Sequence, residues 1–340
     1  MDNTHTTDYR REKDSIGVKD VPEDVYYGVQ SLRAAENFPI TGLNMHPEII
    51  NSLAYIKKAA AITNCEIGIL DKKRATAIVQ ACDEIIAGKF HDDFIVDPIQ
   101  GGAGTSLNMN ANEVIANRAI EILGGKKGDY SLVNPNDHVN CGQSTNDVIP
   151  TAGKMTSLRL LKRLKKELLR LHKAFCDKAA EFDHVIKMGR TQMQDAVPIR
   201  LGQEFHAYSV AVMRDINRMD KAMDEMRTLN MGGTAIGTGI NADEAYLERI
   251  VPNLVQVADM DFVQAFDLID STQNLDPFVA VSGAIKACAV TLSKIANDLR
   301  LMSSGPRAGF GEINLPARQN GSSIMPGKVN PVIPEVVNQV

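Results

Sequence analysis

Apolar residues recur at intervals of three and four along most of the chain, which is the period of an amphipathic α-helix. Polar residues occupy the opposite faces and are then concentrated in short segments rich in Gly, Thr, Ser and Asn. This pattern predicts a mainly α-helical fold. The stretches predicted to be helical are residues 48–70, 72–88, 112–123, 153–182, 198–229, 277–302 and 334–340.

Three of these predicted helices are unusually long. Residues 153–182, with leucines at spacings of three and four, correspond to about 45 Å of helix at 1.5 Å per residue. Helices of this length are typical of helix bundles. Pro198 is predicted at the first position of the second long helix, where its missing N–H is tolerated. We therefore predict a mostly helical N-terminal domain over 1–150, followed by a long-helix bundle over 151–340.

Several segments between the helices combine glycine with hydroxyl and amide side chains. Gly and Pro exclude regular structure over much of each segment, so we predict shaped loops. The first of them does not fit a phosphate-binding P-loop, which would end in Gly-Lys-Ser/Thr. Their neutral donors, together with the cations Arg190 and Lys328, suit a small anion such as a carboxylate. The loops are residues 100–110, 134–147, 188–198, 231–241 and 321–331.

Composition narrows the functional classes. The 340 residues are 44% hydrophobic and 23% charged, with a net charge of −5, which gives no reason to expect a nucleic acid or a membrane as partner. No apolar run is predicted to approach membrane-spanning length, and the polar residues 1–15 are predicted to be a mobile segment without the features of a signal peptide. The seven histidines are scattered, so no metal site is predicted. Five widely spaced cysteines predict reduced thiols and a cytoplasmic protein.

The most distinctive segment is residues 321–331, which read GSSIMPGKVNP. This motif resembles the signature of the fumarase/aspartase superfamily, and the resemblance extends from about residue 10 to residue 340 through segments such as YYGVQ at 26–30. Members of this family are homotetrameric lyases that eliminate a group β to a carboxylate and release fumarate. The resemblance therefore implies a helix-bundle fold, a small-molecule dicarboxylate substrate and no cofactor. Family analogy leaves a Mg²⁺ activator site open, although no grouping of residues here supports one.

The resemblance also implies roles for individual residues. Ser322, the first serine of the motif, would be the base that removes the Cβ proton, while Lys328 and Asn330 would hold the α-carboxylate. Thr191 and Gln192 complete the implied catalytic set, Thr191 at the α-carboxylate and Gln192 beside the amino group. For a single serine or threonine a helix cap is the simpler role, whereas the whole set favours function. The further substrate-binding residues are Thr105, Ser144, Thr145 and Ser323 at the β-carboxylate, Asn146 at the amino group, and Ser106.

Three features separate the chain from the fumarase pattern. Gln192 stands where fumarases, and some aspartases, have His, and Asn134 precedes Pro135 where fumarases have His-Pro. The sequence that follows the GSS loop, PVIPEVVNQV, is similar to the aspartate ammonia-lyase branch. An amide in place of an imidazole can accept from an ammonium group but cannot titrate. The resemblance thus implies reversible deamination of L-aspartate to fumarate and ammonia through an aci-carboxylate intermediate.

Two alternatives stay open. One is a class II fumarate hydratase on the same scaffold, and the other is a non-catalytic structural homologue, like the crystallins that reuse this fold. The intact Ser322, Lys328 and Asn330 argue against the second. The sequence stops within an apparent helix at Val340, whereas family members continue with the rest of the bundle and a small C-terminal domain, so we expect those parts to be absent. The family builds each site from three subunits, which implies a homotetramer with shared active sites.

Overall fold

The structure is a computed structural model that describes residues 8–321 and 323–340. It contains two compact units. The first runs up to Arg159 and includes Met226–Leu275, and the second comprises Leu160–Glu225 and Asp276–Val340. Helices predominate, which confirms the predicted mainly α fold. The predicted boundary after residue 150 falls within a helix, and the division into domains at that residue stays a prediction.

The strands form small two-stranded sheets, antiparallel for the first and second pairs and parallel for the third. The strands are β1 (Tyr9–Lys13), β2 (Val18–Pro22), β3 (Ile186–Thr191), β4 (Gln194–Arg200), β5 (Thr228–Leu229) and β6 (Val263–Gln264). The α-helices are α1 (Val29–Asn37), α2 (Pro47–Glu66), α3 (Lys72–Ile86), α4 (Thr105–Ile122), α5 (Thr145–Glu181), α6 (Leu201–Glu225), α7 (Glu244–Ala258), α8 (Leu268–Gln273), α9 (Asp276–Met302) and α10 (Val332–Gln339). A 3₁₀ turn at His91–Asp93 and a π-helix at Pro135–Val139 complete the helical segments of the described residues.

The core of the first unit lies between α2, α3, α4 and α7. Leu53 of α2, Ile78 of α3, Ile115 of α4 and Leu254 of α7 are each 0% exposed. Helix α4 is buried on nearly all sides, as expected for the central helix of a packed unit. Its polar residues must therefore find partners inside the protein, because a buried polar group without a hydrogen bond is costly.

Glu113 on α4 is one such residue, and it fixes the start of α1. Its carboxyl oxygens accept hydrogen bonds from the backbone N–H groups of Gly28 at 2.9 Å, Gln30 at 2.9 Å and Ser31 at 3.0 Å. These are donors that the first turn of a helix leaves without a partner. Burial raises the pKa of Glu113 to about 7. Helix α1 is thereby attached to the central helix of the unit.

The N-terminal hairpin of β1 and β2 differs from the prediction of a mobile segment over 1–15. Arg10 and Glu12 on β1 are 8% and 3% exposed, and Arg10 Nε donates to Glu12 Oε1 at 2.7 Å. The hydroxyl of Tyr130 donates to the other oxygen of Glu12 at 2.8 Å. These buried polar contacts attach the hairpin to the first unit, so the prediction is wrong for Tyr9–Lys13.

The helical part of the second unit consists of α6, α9, α10 and the C-terminal portion of α5. The ring of Phe175 on α5 lies 6.3 Å from that of Phe205 and 5.7 Å from that of Tyr208, both on α6. The Tyr208 hydroxyl donates to Asp298 on α9 at 3.0 Å. Aromatic packing and side-chain hydrogen bonds thus connect the three helices, and α10 packs on α9 in addition.

Helix α9 leaves much of its apolar surface uncovered. Val279 and Val290 are 71% and 65% exposed. Among the described residues, α9 is the helix whose length and apolar composition would suffice to cross a membrane. The expectation that no apolar run approaches that length is therefore wrong for this segment. In the second unit α9 packs against α6 and α10, as a helix of a bundle does.

Three helices begin well away from the predicted residues. Helix α5 begins at Thr145 instead of residue 153, within the predicted loop 134–147, because Ser144 and Asp147 cap its first turn. Helix α4 begins at Thr105 instead of Asn112, because Gly104 ends the preceding loop with a left-handed φ of +90° and the next turn packs into the core. Helix α6 begins at Leu201, and Pro198 lies in β4 instead of at the start of a helix. The segment 188–198, predicted as a loop, is a β-hairpin, and a two-stranded ribbon tolerates a residue without an N–H.

Candidate active site

Ser144, Thr145 and Asn146 lie at the N-terminus of α5. The backbone N–H of Ser144 donates to Asp147 Oδ1 at 2.9 Å, and the N–H of Asn146 donates to Ser144 Oγ at 3.2 Å. This reciprocal pair is a capping box, which satisfies donors that a helix start leaves free. It holds the three residues at the positive end of the helix dipole, which is a favourable place for a carboxylate.

The N-terminus of α4 lies beside that of α5. A Cβ on Gly104, the residue before α4, would lie 2.9 Å from two side-chain carbons of Ile149 on α5. Asn108 Nδ2 in the first turn of α4 donates to Thr145 Oγ1 at 3.3 Å. Thr105, which the sequence analysis assigned to the same carboxylate as Thr145, is the first residue of α4. The structure therefore brings these two predicted residues to adjacent helix starts.

Thr105 and Ser106 have different surroundings. Thr105 is exposed, and its hydroxyl donates to the carbonyl of Gly102 at 2.6 Å, as a residue in a turn does. Ser106 lines a cleft of about 430 Å³ together with Arg33 and Asn136. None of residues 144–146 lines that cleft. The structure thus gives no support for placing Ser106 with the residues at the start of α5.

A fully buried lysine lies beneath these two helix starts. Lys57 on α2 is 0% exposed. Its Nζ donates to Asn108 Oδ1 at 2.8 Å, to Asn140 Oδ1 at 2.7 Å and to Gln143 Oε1 at 2.9 Å. Burial lowers the pKa of Lys57 to about 7, while the charge of Asp147 acts in the opposite direction. The three amides connect this lysine to the segment that leads into α5.

Lys57 was not among the predicted site residues, although its spacing contains a signal. Lys57 follows Leu53 by four residues and precedes Ala60 by three, and both of these are 0% exposed. A lysine on the apolar stripe of a helix must be buried or must extend its side chain to the surface. Buried lysines are uncommon. A lysine that faces the core next to polar loops is therefore a candidate site residue.

We expect the lowered pKa of Lys57 to make the stability of the protein depend on pH. Between about pH 7 and 10.5 the unfolded chain holds a proton on Lys57 that the folded chain does not hold. The contribution of this residue to the free energy of unfolding therefore rises with pH in that window, by at most about 1.4 kcal/mol per pH unit. The measurement is urea unfolding of the wild type and of Lys57→Met at about pH 7 and about pH 9.

In the folded protein, the groups that face Lys57 do not titrate in this window. The three amides are neutral, the pKa of Asp147 is about 6, and burial raises the pKa of Cys82 well above the window. Lys58→Met is the matched control, because Lys58 is the next residue of α2 and pairs with Asp83 at 2.6 Å. The prediction would be contradicted if the difference in the free energy of unfolding between wild type and Lys57→Met were the same at both pH values.

Asp147 connects the start of α5 to the loop at 231–241. Its Oδ2 accepts from the backbone N–H of Gly232 at 3.2 Å and from that of Thr234 at 3.1 Å. Burial raises the pKa of Asp147 to about 6, although these hydrogen bonds favour the charged form. The loop at 231–241, which was predicted as one of the polar glycine-rich loops, thus supports the segment that carries Ser144–Asn146.

In the second unit, Thr191 and Gln192 lie at the turn between β3 and β4. Gln192 and Met193 have φ values of +53° and +63°. A two-residue hairpin turn of this type needs positive φ at both central positions, which residues with side chains adopt rarely. Thr191 and Gln192 are both exposed at this turn. The structure therefore presents the two predicted side chains at the tip of a short ribbon.

Arg190 has a structural role instead of the anion-binding role that the sequence suggested. Its Nη2 donates to Glu312 Oε1 at 2.5 Å, and its guanidinium carbon lies 4.1 Å from the centroid of the Phe310 ring. Lys187 pairs with the other oxygen of Glu312 at 2.9 Å. These contacts attach the β3–β4 hairpin to the segment after α9, so the charge of Arg190 is already compensated within the protein.

Ser323, Lys328 and Asn330 lie in the segment between α9 and α10, and all three are exposed. Ser322, the predicted base, lies outside the described residues. A Cβ on Gly321 would lie only 2.0 Å from the carbonyl oxygen of Lys328, so the two ends of the motif approach each other closely. Any side chain at the first position of the motif would therefore clash with this carbonyl oxygen, which explains the glycine there.

Lys328 and Asn330 line a cleft of about 670 Å³ in the second unit. Arg300 at the end of α9 and Ser304 also line it, and residues 303–316 supply much of the remaining wall. Residues 303–316 were not predicted as part of the site. Their three glycines and one proline over residues 305–311 are the same kind of signal that identified the other loops.

A protein-family model described as lyase matches residues 17–340. The chain belongs to this lyase family. An aspartate ammonia-lyase from Bacillus subtilis (strain 168) is 59% identical over 333 residues, which is 98% of this chain and 70% of that protein. The recognition of a lyase from the GSSIMPGKVNP motif is thereby confirmed.

Solved structures of lyase-type proteins share the fold. A fumarate lyase:delta crystallin from Brucella melitensis has a TM-score of 0.96 and 52% identity, covering 98% of this chain and 73% of that chain. A class II fumarase from Schistosoma mansoni has a TM-score of 0.94 and 36% identity, with the same coverage of the two chains. The predicted fumarase/aspartase-like architecture is therefore confirmed at the level of the fold.

Membership of the lyase family does not by itself assign roles to residues, so the predicted site residues stay predictions. The first unit carries Thr105, Ser106 and Ser144–Asn146, and the second carries Thr191, Gln192 and the segment 323–330. Within the part of the chain that the structure describes, no three His, Cys, Asp or Glu side chains are grouped so that they could hold a metal ion. The predicted absence of a cofactor remains a prediction.

Proposed function

We propose that this chain catalyses the reversible deamination of L-aspartate to fumarate and ammonia. The observation that carries the proposal is its 59% identity, over 98% of its length, to a protein named aspartate ammonia-lyase. Membership of the lyase family supports an elimination as the type of reaction. The complete GSSIMPGKVNP motif supports a catalytic protein over a structural homologue.

The reaction sets clear chemical requirements. The Cβ–H bond of aspartate is weakly acidic, so its cleavage must spread negative charge onto the adjacent β-carboxylate as an aci-carboxylate. Preorganised N–H and O–H donors directed at those oxygens stabilise the transition state by a few kcal/mol each. A base must reach the Cβ proton, and ammonium must leave from the neighbouring carbon.

The adjacent starts of α4 and α5 support the first requirement. They carry Thr105, Ser144 and Thr145 at two helix N-termini, whose positive dipole ends favour an anion. Such fixed donors stabilise the transition state, in which charge develops on the β-carboxylate, more than they stabilise the ground state. We therefore assign these three hydroxyls, together with Ser323, to the β-carboxylate and its aci form.

The remaining roles fall to the segments of the second unit. We assign Ser322 as the base, and Lys328, Asn330 and Thr191 to the α-carboxylate. An ammonium side chain and neutral donors provide charge and direction for a carboxylate without a metal ion. Asn146 and Gln192 are left for the amino group, because amide oxygens accept from ammonium.

The assembly and location complete the proposal. We infer a homotetramer whose sites draw residues from three subunits, supported by the uncovered apolar face of α9, where Val279 and Val290 are exposed. All five cysteines are free thiols, which supports a cytoplasmic location. No organic cofactor is required by the chemistry of the assigned residues.

The function is tested by supplying fumarate to the purified protein with and without ammonium. We expect aspartate to form only when ammonium is present, and aspartate alone to yield fumarate, which is followed by its ultraviolet absorbance. The class II fumarase that shares the fold provides the second candidate, fumarate hydration. Malate formed from fumarate, without aspartate when ammonium is added, would favour that candidate and overturn the first.

The assembly is tested by light scattering on a sizing column. A tetramer of this chain has four times the mass of the 37.1 kDa monomer. A substitution that places charge on the uncovered face of α9, Val290→Asp, is expected to lower the mass, because a charge in an apolar interface is costly. Active protein that elutes as a monomer would contradict the proposal of sites shared among subunits.

A further inference from the structure

The buried Lys57 has a consequence for the neighbouring hydroxyl of Thr145. Below its pKa of about 7, Lys57 is protonated and has three protons to donate and no acceptor. All three are used, on Asn108 Oδ1, Asn140 Oδ1 and Gln143 Oε1. Lys57 therefore determines which atom of each amide faces it, and each amide must turn its oxygen inward.

The orientation of Asn108 then fixes the rest of the chain of hydrogen bonds. With its oxygen on Lys57, Asn108 directs its NH₂ group away from the lysine. One N–H lies 3.2 Å from Asn140 Oδ1 and the other 3.3 Å from Thr145 Oγ1. Both protons of the amide are thus donated, and Asn108 has no further orientation that satisfies the same partners.

The direction of the last hydrogen bond decides what Thr145 can do. Because Asn108 donates to Thr145 Oγ1, the hydroxyl oxygen acts as an acceptor there and its own proton remains to be donated. Within residues 8–321 and 323–340, the Thr145 hydroxyl donates to no acceptor. If Asn108 were turned around, its carbonyl would take this proton, and a carboxylate at the start of α5 would lose one donor.

We propose that Lys57 is a positioning residue, which orients Asn108 so that the Thr145 hydroxyl donates its proton to the β-carboxylate of the substrate. This inference rests on the proposed function, because it needs a carboxylate at the start of α5. It assigns a task to a buried residue that neither contacts substrate nor belongs to the motifs of the sequence.

The test is a double-mutant cycle on the full chain with aspartate as substrate, at a pH below the pKa of Lys57 of about 7, where this lysine is protonated. Lys57→Met and Thr145→Val are each expected to lower kcat/KM about 100-fold, since each removes one donor from the developing charge. The double variant is expected to be only about 100-fold below the wild type, because both changes remove the same hydrogen bond. Two independent effects would instead multiply to about 10,000-fold.

Lys58→Met is the matched control on the same helix and should change kcat/KM by about twofold or less, because Lys58 pairs with Asp83 outside this network. If Lys57→Met does not fold, Asn108→Asp replaces it. Aspartate at 108 keeps a partner for Lys57 but accepts the proton of Thr145, so adding Thr145→Val should cause no further loss of activity.

The outcomes separate the two proposals. A wild type that does not interconvert aspartate and fumarate overturns the proposed function and this inference with it. If the wild type is active but the losses of kcat/KM in Lys57→Met and Thr145→Val multiply in the double variant, only the role of Lys57 is overturned. The same holds if Thr145→Val lowers kcat/KM further when it is added to Asn108→Asp. The role of Lys57 is supported if the double variant loses no more kcat/KM than either single variant while Lys58→Met keeps nearly the wild-type value.

Discussion

Replacing Ser322 with alanine is expected to lower kcat for aspartate deamination about 1000-fold, with a change in KM of about threefold or less. The reason is the weak acidity of the Cβ–H bond, whose proton has no acceptor once the serine oxygen is removed. Residues that hold the carboxylates would be unchanged, so binding of aspartate should persist. The measurement is steady-state kinetics of fumarate release.

Two comparisons make this experiment decisive. Ser293→Ala serves as a control in the same unit, because the Ser293 hydroxyl bonds to Asn338 between α9 and α10 and has no assigned role in the reaction. Lys328→Met should raise KM strongly, since it removes the assigned partner of the α-carboxylate. A Ser322→Ala enzyme with wild-type kcat would remove the serine from the role of base.

The helical periodicity predicted the architecture well because most helices bury one stripe and expose another. The helix at residues 277–302 is an example, since α9 begins and ends within one residue of the prediction. The predicted helix boundaries were wrong where packing or backbone geometry overrides the apolar periodicity. The stretch from Thr105 to Asn110 looks like a polar loop, yet it forms the first turns of a central helix whose polar side chains bond inside the protein.

The hairpin at 186–200 was missed for a related reason. Its glycine and proline at positions 189 and 198 mark breaks in a regular pattern, and a two-stranded ribbon with a bulge accommodates both. Local propensity cannot distinguish such a ribbon from a loop, because the pairing of β3 with β4 depends on residues that are several positions apart.

The candidate site was predictable in its motifs but not in its supporting residues. Ser144, Thr145 and Thr105 come from segments whose composition is distinctive. Lys57 and Asp147 are single charged residues, and their importance depends on burial, which only the packed structure provides. Sequence patterns identify groups that are exposed to a ligand more readily than the buried groups that orient them.

Gly104→Ala is expected to affect both stability and substrate binding. The residue has a φ of +90°, which costs an L-residue about 1–2 kcal/mol, and the added Cβ would overlap two carbons of Ile149 at 2.9 Å. Relief of that overlap must separate the starts of α4 and α5, at a further cost of about 1–3 kcal/mol. We expect the free energy of unfolding to fall by about 2–5 kcal/mol and KM for aspartate to rise about tenfold or more.

Gly68→Ala isolates the contribution of the backbone. Gly68 has a φ of +79°, but a Cβ there would meet no atom within 4 Å. This variant should lose only the conformational part, about 1 kcal/mol, without a change in KM. If Gly104→Ala and Gly68→Ala had equal effects on stability and KM, the close approach of α4 and α5 would have no energetic significance.

A second substitution at the other side of the contact tests whether the spacing of the two helix starts determines substrate binding. Ile149→Ala removes the carbons that the new Cβ would meet, so Gly104→Ala combined with Ile149→Ala should bind aspartate with nearly the KM of Ile149→Ala alone. The residual loss of stability should then be the conformational cost at residue 104. This non-additivity follows because the two changes share one contact. A KM that stays high in the double variant would show that Gly104 acts through its backbone conformation instead, and the approach of the two dipoles would no longer explain how the β-carboxylate is held.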